Sequence, residues 1–163
     1  MLDLVADPPY SSAMNEVATE KTTPKAAPGE AEANLFTFLD VADLLYERVA
    51  AALDKVGLSY PKYEVLKCLR SSRDAVALGA LADEQSCARS NITQLVDRLE
   101  SEGLVRRVAD PEDRRSVRAE LTEEGVAREV EGTTQLNLVL AEFAASFSAP
   151  ERAQLGRLLS RLM

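Results

Sequence analysis

Histidine is absent from this 163-residue chain. That removes the side chain most often used to move protons near neutral pH. No glycine-rich phosphate loop, nucleophile elbow or metal-spaced cluster takes its place. No pair of carboxylates is singled out by spacing either, so the sequence does not read as an enzyme and implies neither cofactor nor metal. Only two cysteines occur, Cys68 and Cys87, without metal or redox spacing. They read as small, mostly buried residues of a protein kept in a reducing cytoplasm. No apolar run reaches bilayer length, so no membrane partner is expected. The opening MLDLVADPP lacks a basic start followed by an apolar stretch, which reads against a secretory signal. Positive charge is also scarce, with 19 Lys and Arg against 27 Asp and Glu and a net charge of −8.

A uniformly acidic surface would repel nucleic acid, but the deficit is uneven. From Tyr60 to Thr122 there are 11 basic and 11 acidic residues, and the remainder of the chain carries all of the −8. Positive charge is needed only where phosphates sit, and acidic outer parts weaken non-specific binding.

Residues 1–30 are rich in Ala, Pro, Ser, Thr and Glu and read as a flexible N-terminal arm. The rest, 31–163, reads as a single domain. Apolar residues return at helical spacing from Ala31 to Val56, and Gly57 ends that helix. Ser59 and Pro61 open a second helix, which carries Tyr63, Leu66 and Leu69 on one face. Two short helices follow, about Gly79–Gln85 and Arg89–Glu102, joined by a tight turn as in a helix-turn-helix. The helical pattern breaks at Gly103. Two strand-like runs come next, Leu104–Val108 and Val117–Leu121, around a polar tip that holds Asp113, Arg114 and Arg115. Thr122 begins a long helix to about Phe147, and Pro150 opens a last one that ends with Leu155, Leu158, Leu159 and Met163. The fold class is mostly α, with a small β component: a winged helix-turn-helix at 58–122, flanked by long helices at 31–56 and 123–163. Apolar helices at both ends of one chain need mutual burial, and a symmetric homodimer supplies it.

The segment SNITQLVDRLESEGLVRRVADPEDRRSVRAELTEEG resembles the signature of the MarR family of bacterial transcription regulators. The family pattern Asp-x-Arg, five residues, then Leu-Thr-x-x-Gly falls on Asp113, Arg115, Leu121, Thr122 and Gly125. The resemblance implies a dimer interlocked by the terminal helices, bound to double-stranded DNA at an inverted-repeat operator. It also implies that Arg115 enters the minor groove, with Asp113 orienting it. Arg114 reads as a phosphate contact. The chain departs from the family pattern at Ala77 and Ala88, where a capping Ser or Thr is usual, and at Gln85, where an apolar residue is usual.

The fourth helix is the recognition-helix candidate. Arg89, Ser90, Asn91, Thr93, Gln94 and Arg98 lie on its polar side, opposite Ile92, Leu95, Val96 and Leu99. Asn and Gln can pair twice with adenine, Arg with guanine, and a Thr methyl can touch thymine. On the hairpin strands Arg106, Arg107 and Arg118 could touch phosphates, Arg107 being the main candidate. Some MarR relatives bind small aromatic anions between the dimer helices and the winged helix. Phe36, Tyr46, Tyr63 and Arg70, with Phe38 nearby, are the candidates here for a small aromatic or anionic effector. Repression is the expected sign, because a compact dimer on a promoter blocks polymerase without further parts. The residues leave two other readings open. One is a protein-binding winged-helix module that does not bind DNA, favoured by the acidic total. The other is a redox-sensing regulator acting through a cysteine, with Cys87 the better placed.

Overall fold

In the computed structural model, residues 29–72, 74–111 and 116–162 are described. Residues 1–28 of the expected arm, residue 73 and the wing tip with Asp113, Arg114 and Arg115 lie outside the described residues, as does Met163. The chain divides into two compact units, residues 1–40 and 41–163.

Helix α1 runs Glu30–Asp54. It stops two residues before the expected Val56. There the chain tightens into a turn, with Val56 N–H donating to Leu53 O and Gly57 N–H to Asp54 O. Gly57 takes φ +70, a conformation that costs a residue with a Cβ about 1 kcal/mol or more. Helix α2, Tyr60–Ser71, begins after Ser59, whose backbone is extended as an N-cap requires, and has Pro61 in its first turn. Its buried face holds Tyr63, Val65, Leu66 and Leu69.

A two-residue strand, β1 at Val76–Ala77, precedes helix α3 at Leu78–Glu84. Two residues are too few to show a period, and the sequence pattern gave no sign of it. Helix α4 follows at Arg89–Ser101, beginning after Ala88 with no side-chain cap. The departures at Ala77 and Ala88 therefore leave both helices in place and only their caps unmade. Ser86, in the turn between them, adopts φ 48.

Strands β2 (Val105–Ala109) and β3 (Val117–Leu121) form an antiparallel hairpin, with β1 on the far side of β3. Leu104, expected as the first strand residue, belongs instead to the turn that closes α4. Its N–H donates to Leu99 O, and its carbonyl accepts from Thr122 N–H. Helix α5 spans Glu123–Ala145 and α6 spans Ala149–Leu159. Thr122 caps α5: its Oγ1 accepts from Gly125 N–H at 3.0 Å and donates to Gly103 O at 2.7 Å. Glu123 and Glu124 suit the positive end of that helix. At α6, Ser148 donates from its N–H and Oγ to Glu151, which holds that carboxyl below its usual range.

One core ties the second unit together. Leu53, Leu58, Val65, Leu66, Leu81, Ile92, Val96, Leu99, Leu104 and Val105 are all fully buried. Each such side chain contributes about 1.5–3 kcal/mol from leaving water. A polar bridge joins α2 to α5 beside this core. Tyr63 OH and Thr133 Oγ1 share a hydrogen bond, and Thr133 donates to the buried Glu129. By contrast α6 buries none of its residues, and α1 exposes Leu35, Phe36, Leu39 and Leu44.

Candidate nucleic-acid interface

Helix α4 has two distinct sides. Ile92, Val96 and Leu99 are buried in the core, while Arg89, Ser90, Asn91, Thr93, Gln94 and Arg98 are exposed. The spacing of three and four residues makes this division, and the core contact fixes the helix's rotation. The hydroxyl of Thr93 donates back to Arg89 O at 2.9 Å, and the residue is exposed. Arg89 reaches back over α3, where a Cβ on Gly79 would stand 3.5 Å from its guanidinium. Neither Arg89 nor Arg98 is in an ion pair among the described residues.

The three hairpin arginines are held differently. Arg106 faces its cross-strand neighbour Glu120 and pairs with it, while remaining largely exposed. Arg118 donates to Asp110 at 2.6 Å and to Ala75 O at 3.4 Å, linking the base of the wing to the segment before β1. Arg107 turns onto α4. Its Nη1 lies 2.6 Å from Asp97 and 2.8 Å from Glu100. Burial opposes its charge, but hydrogen bonds and attraction from these two carboxylates outweigh that and raise its pKa. Asp97 and Glu100 were not singled out as functional in the sequence. Their spacing of three marks one side of a helix, but only the fold brings β2 against it.

The four effector candidates are placed differently among the described residues. Phe36 is exposed on α1, within the first unit. Tyr63 is buried in the core with its hydroxyl on Thr133. Arg70 lies 4.0 Å from Glu129 and lines a small polar cavity with Asp74 and Glu120. Tyr46 does line an apolar cavity, of about 350 Å³, with Leu45, Val49, Tyr60, Leu136 and Leu140. Tyr46 and Tyr60 meet edge to face at 5.5 Å. The polar lining is Glu64 and Lys67, 3.4 Å apart. Burial and then the Glu64 charge raise the pKa of the Tyr60 phenol, so it stays protonated at neutral pH. Tyr60, Glu64 and Lys67 were missed in sequence because their spacing shows only an α2 face, not what it faces.

Both cysteines are half-buried against the core and free. Burial pushes both thiols up, with Glu84 and Glu64 adding to the effect at Cys68. A raised thiol pKa means less thiolate, the reactive form.

A helix-turn-helix packed beside a three-stranded antiparallel sheet, with helices before and after, defines the winged helix-turn-helix class of transcription regulators. Comparison with known proteins narrows this. The model of the MarR family matches residues 58–117. The chain is 30% identical over 122 residues to YsmB of Bacillus subtilis, described as an HTH-type transcriptional regulator, covering 75% of this chain and 83% of that one. The crystal structure of CouR from Rhodococcus jostii RHA1 bound to p-coumaroyl-CoA matches with TM-score 0.68 at 25% identity, covering 83% of this chain and 95% of CouR. A MarR mutant from E. coli complexed with operator DNA matches with TM-score 0.69 at 23% identity, covering 82% and 94%. The chain belongs to the MarR family, and it is a DNA-binding transcriptional regulator rather than an enzyme. Among the described residues no helix is long and apolar enough to cross a membrane.

Proposed function

We propose that the protein is a homodimeric, sequence-specific repressor of the cytoplasm that binds an inverted-repeat operator and is released by a small aromatic effector. The observation that carries this reading is α4. It presents a continuous polar face, Arg89 to Arg98, on a helix whose opposite face is locked in the core. In this reading residues 58–122 hold the reading head, and 31–56 with 123–163 dimerise, leaving 1–30 as an arm. The dimer is supported by apolar surface that is exposed among the described residues: Leu35, Phe36 and Leu39 on α1, Leu138 and Leu140 on α5, Leu158 and Leu159 on α6. Burying such surface contributes about 25 cal/mol per Å², and a two-fold partner is the usual cover. Repression is the sign of this reading, since a compact dimer on a promoter blocks polymerase without further parts.

The effector reading rests on the cavity of Tyr46 and Tyr60. Its volume, about 350 Å³, is within the range of small-molecule sites, and its mostly apolar walls carry one carboxylate, one ammonium and two tyrosines. The complex of CouR with an aromatic acyl-CoA supports an aromatic class of ligand. The raised cysteine pKa values favour this over a redox trigger.

Sedimentation at micromolar concentration together with footprinting of the DNA upstream of its own gene tests the proposal. The expected result is twice the chain mass and two protected half-sites centred about 10 base pairs apart. Arg115→Ala is expected to lose about 1–3 kcal/mol of operator binding while staying dimeric. A folded monomer, or no binding to any upstream fragment, would reject the proposal; the latter would favour a protein-binding winged helix.

A further inference from the structure

We propose that Arg107 is a positioning residue: it fixes the angle between the recognition helix and the wing, and operator discrimination depends on it although it touches no DNA. This rests on the operator-binding reading above. Three observations carry it.

The first is the number of bonds. Arg107 Nη1 meets Asp97 at 2.6 Å and Glu100 at 2.8 Å, and Nη2 donates to the carbonyl of Thr93 at 3.3 Å. Glu100 also accepts from the Arg107 backbone N–H at 3.0 Å. One carboxylate thus holds both the main chain and the side chain of the same strand residue. The second is the geometry of the partners. Thr93, Asp97 and Glu100 are spaced i, i+4 and i+7 and so form one stripe along α4. The guanidinium is planar and rigid, so a fork laid along such a stripe resists both rotation and sliding of the helix. Thr93 lies on the exposed face, so the clamp ends directly behind a base-reading position. The third is charge. One guanidinium beside two carboxylates leaves the cluster at −1. Phosphate contact favours arginines without such partners, as Arg89 and Arg98 are among the described residues, and Arg107 is only 25% exposed against 68% for Arg106.

The test measures binding of the full-length protein to operator and to random-sequence duplex over a salt series. Arg107→Gln, Arg107→Lys, Asp97→Asn and the double variant Arg107→Gln/Asp97→Asn are compared with the parent. A positioning role predicts about a tenfold loss on the operator for Arg107→Gln, the order expected for a lost charged hydrogen bond. Binding to random duplex and the slope of log affinity against log salt stay at the parental values. Arg107→Lys also loses operator affinity, because an ammonium keeps the charge but cannot fork. Asp97→Asn loses affinity although it makes the protein less negative, and the double variant is no worse than the single ones. The opposite pattern overturns the inference: equal loss on both DNAs, a salt slope reduced by about 1, and parental behaviour of Arg107→Lys mark a phosphate contact. Should Arg107→Gln fail to fold, Arg107→Lys and Asp97→Asn decide alone. Failure of the parent to prefer any operator would strike the operator reading itself, and is seen before any variant is made.

Discussion

Gly125→Ala is expected to be the most damaging single-methyl change outside the core. A Cβ built at Gly125 stands 1.9 Å from the carbonyl oxygen of Leu104 and 2.9 Å from its carbon. Ordinary contact is about 3.5 Å or more, so helix and turn must separate by well over 1 Å. The obstacle is backbone, so no side-chain rotation relieves it. Three bonds converge at this spot: Gly125 N–H to Thr122 Oγ1, Thr122 Oγ1 to Gly103 O, and Thr122 N–H to Leu104 O. Losing the cap costs about 1 kcal/mol, and forcing extra volume into a packed contact costs about 1–3 kcal/mol more. The expected total is about 2–4 kcal/mol, a large share of the stability of an ordinary domain. Urea unfolding followed by circular dichroism, at one fixed protein concentration because a dimer's stability depends on it, reads the difference. An unchanged midpoint would refute the reasoning, and so would a loss no larger than that of Thr122→Ala, which removes the cap without the clash.

Three further outcomes are expected. Ser86→Gly should leave stability equal or raise it by up to about 1 kcal/mol, since φ 48 suits glycine, while Ser86→Val should lower it; thermal melts that reverse this order would contradict the turn geometry. Tyr63→Phe should cost about 0.5–1.5 kcal/mol in urea unfolding, from the hydrogen bond to Thr133, and a neutral result would show the bond to contribute nothing. Alkylation of Cys68 and Cys87 in the folded protein at neutral pH should be slower than in the unfolded chain and accelerate only above the ordinary thiol range of about 8.5. Their folded values are raised, so the linked stability is complete below that range and declines as pH climbs through the folded values; fast alkylation at neutral pH would contradict this.

What the sequence determined by itself is what has a period or a stop. The apolar spacing of α4, from Ile92 to Leu99, set both its existence and its inward face. Gly57 and Gly103 marked the ends of α1 and α4, because few other residues accept a positive φ. The pattern of Leu121, Thr122 and Gly125 pointed to the family, though its physical reason, a cap and a close approach to Leu104, came only from the fold. The tertiary structure decided everything that depends on distant partners. Strand β1 is too short to have a pattern and exists because β3 offers it an edge. Tyr46 meets Tyr60 across a cavity, while Tyr63, three residues on from Tyr60, turns into the core. Arg107 is one of several arginines in the sequence, and only the packing of β2 against α4 gives it two carboxylates and a helix carbonyl. Local spacing fixes which way a side chain points; what it meets there is fixed by elements that the spacing does not contain.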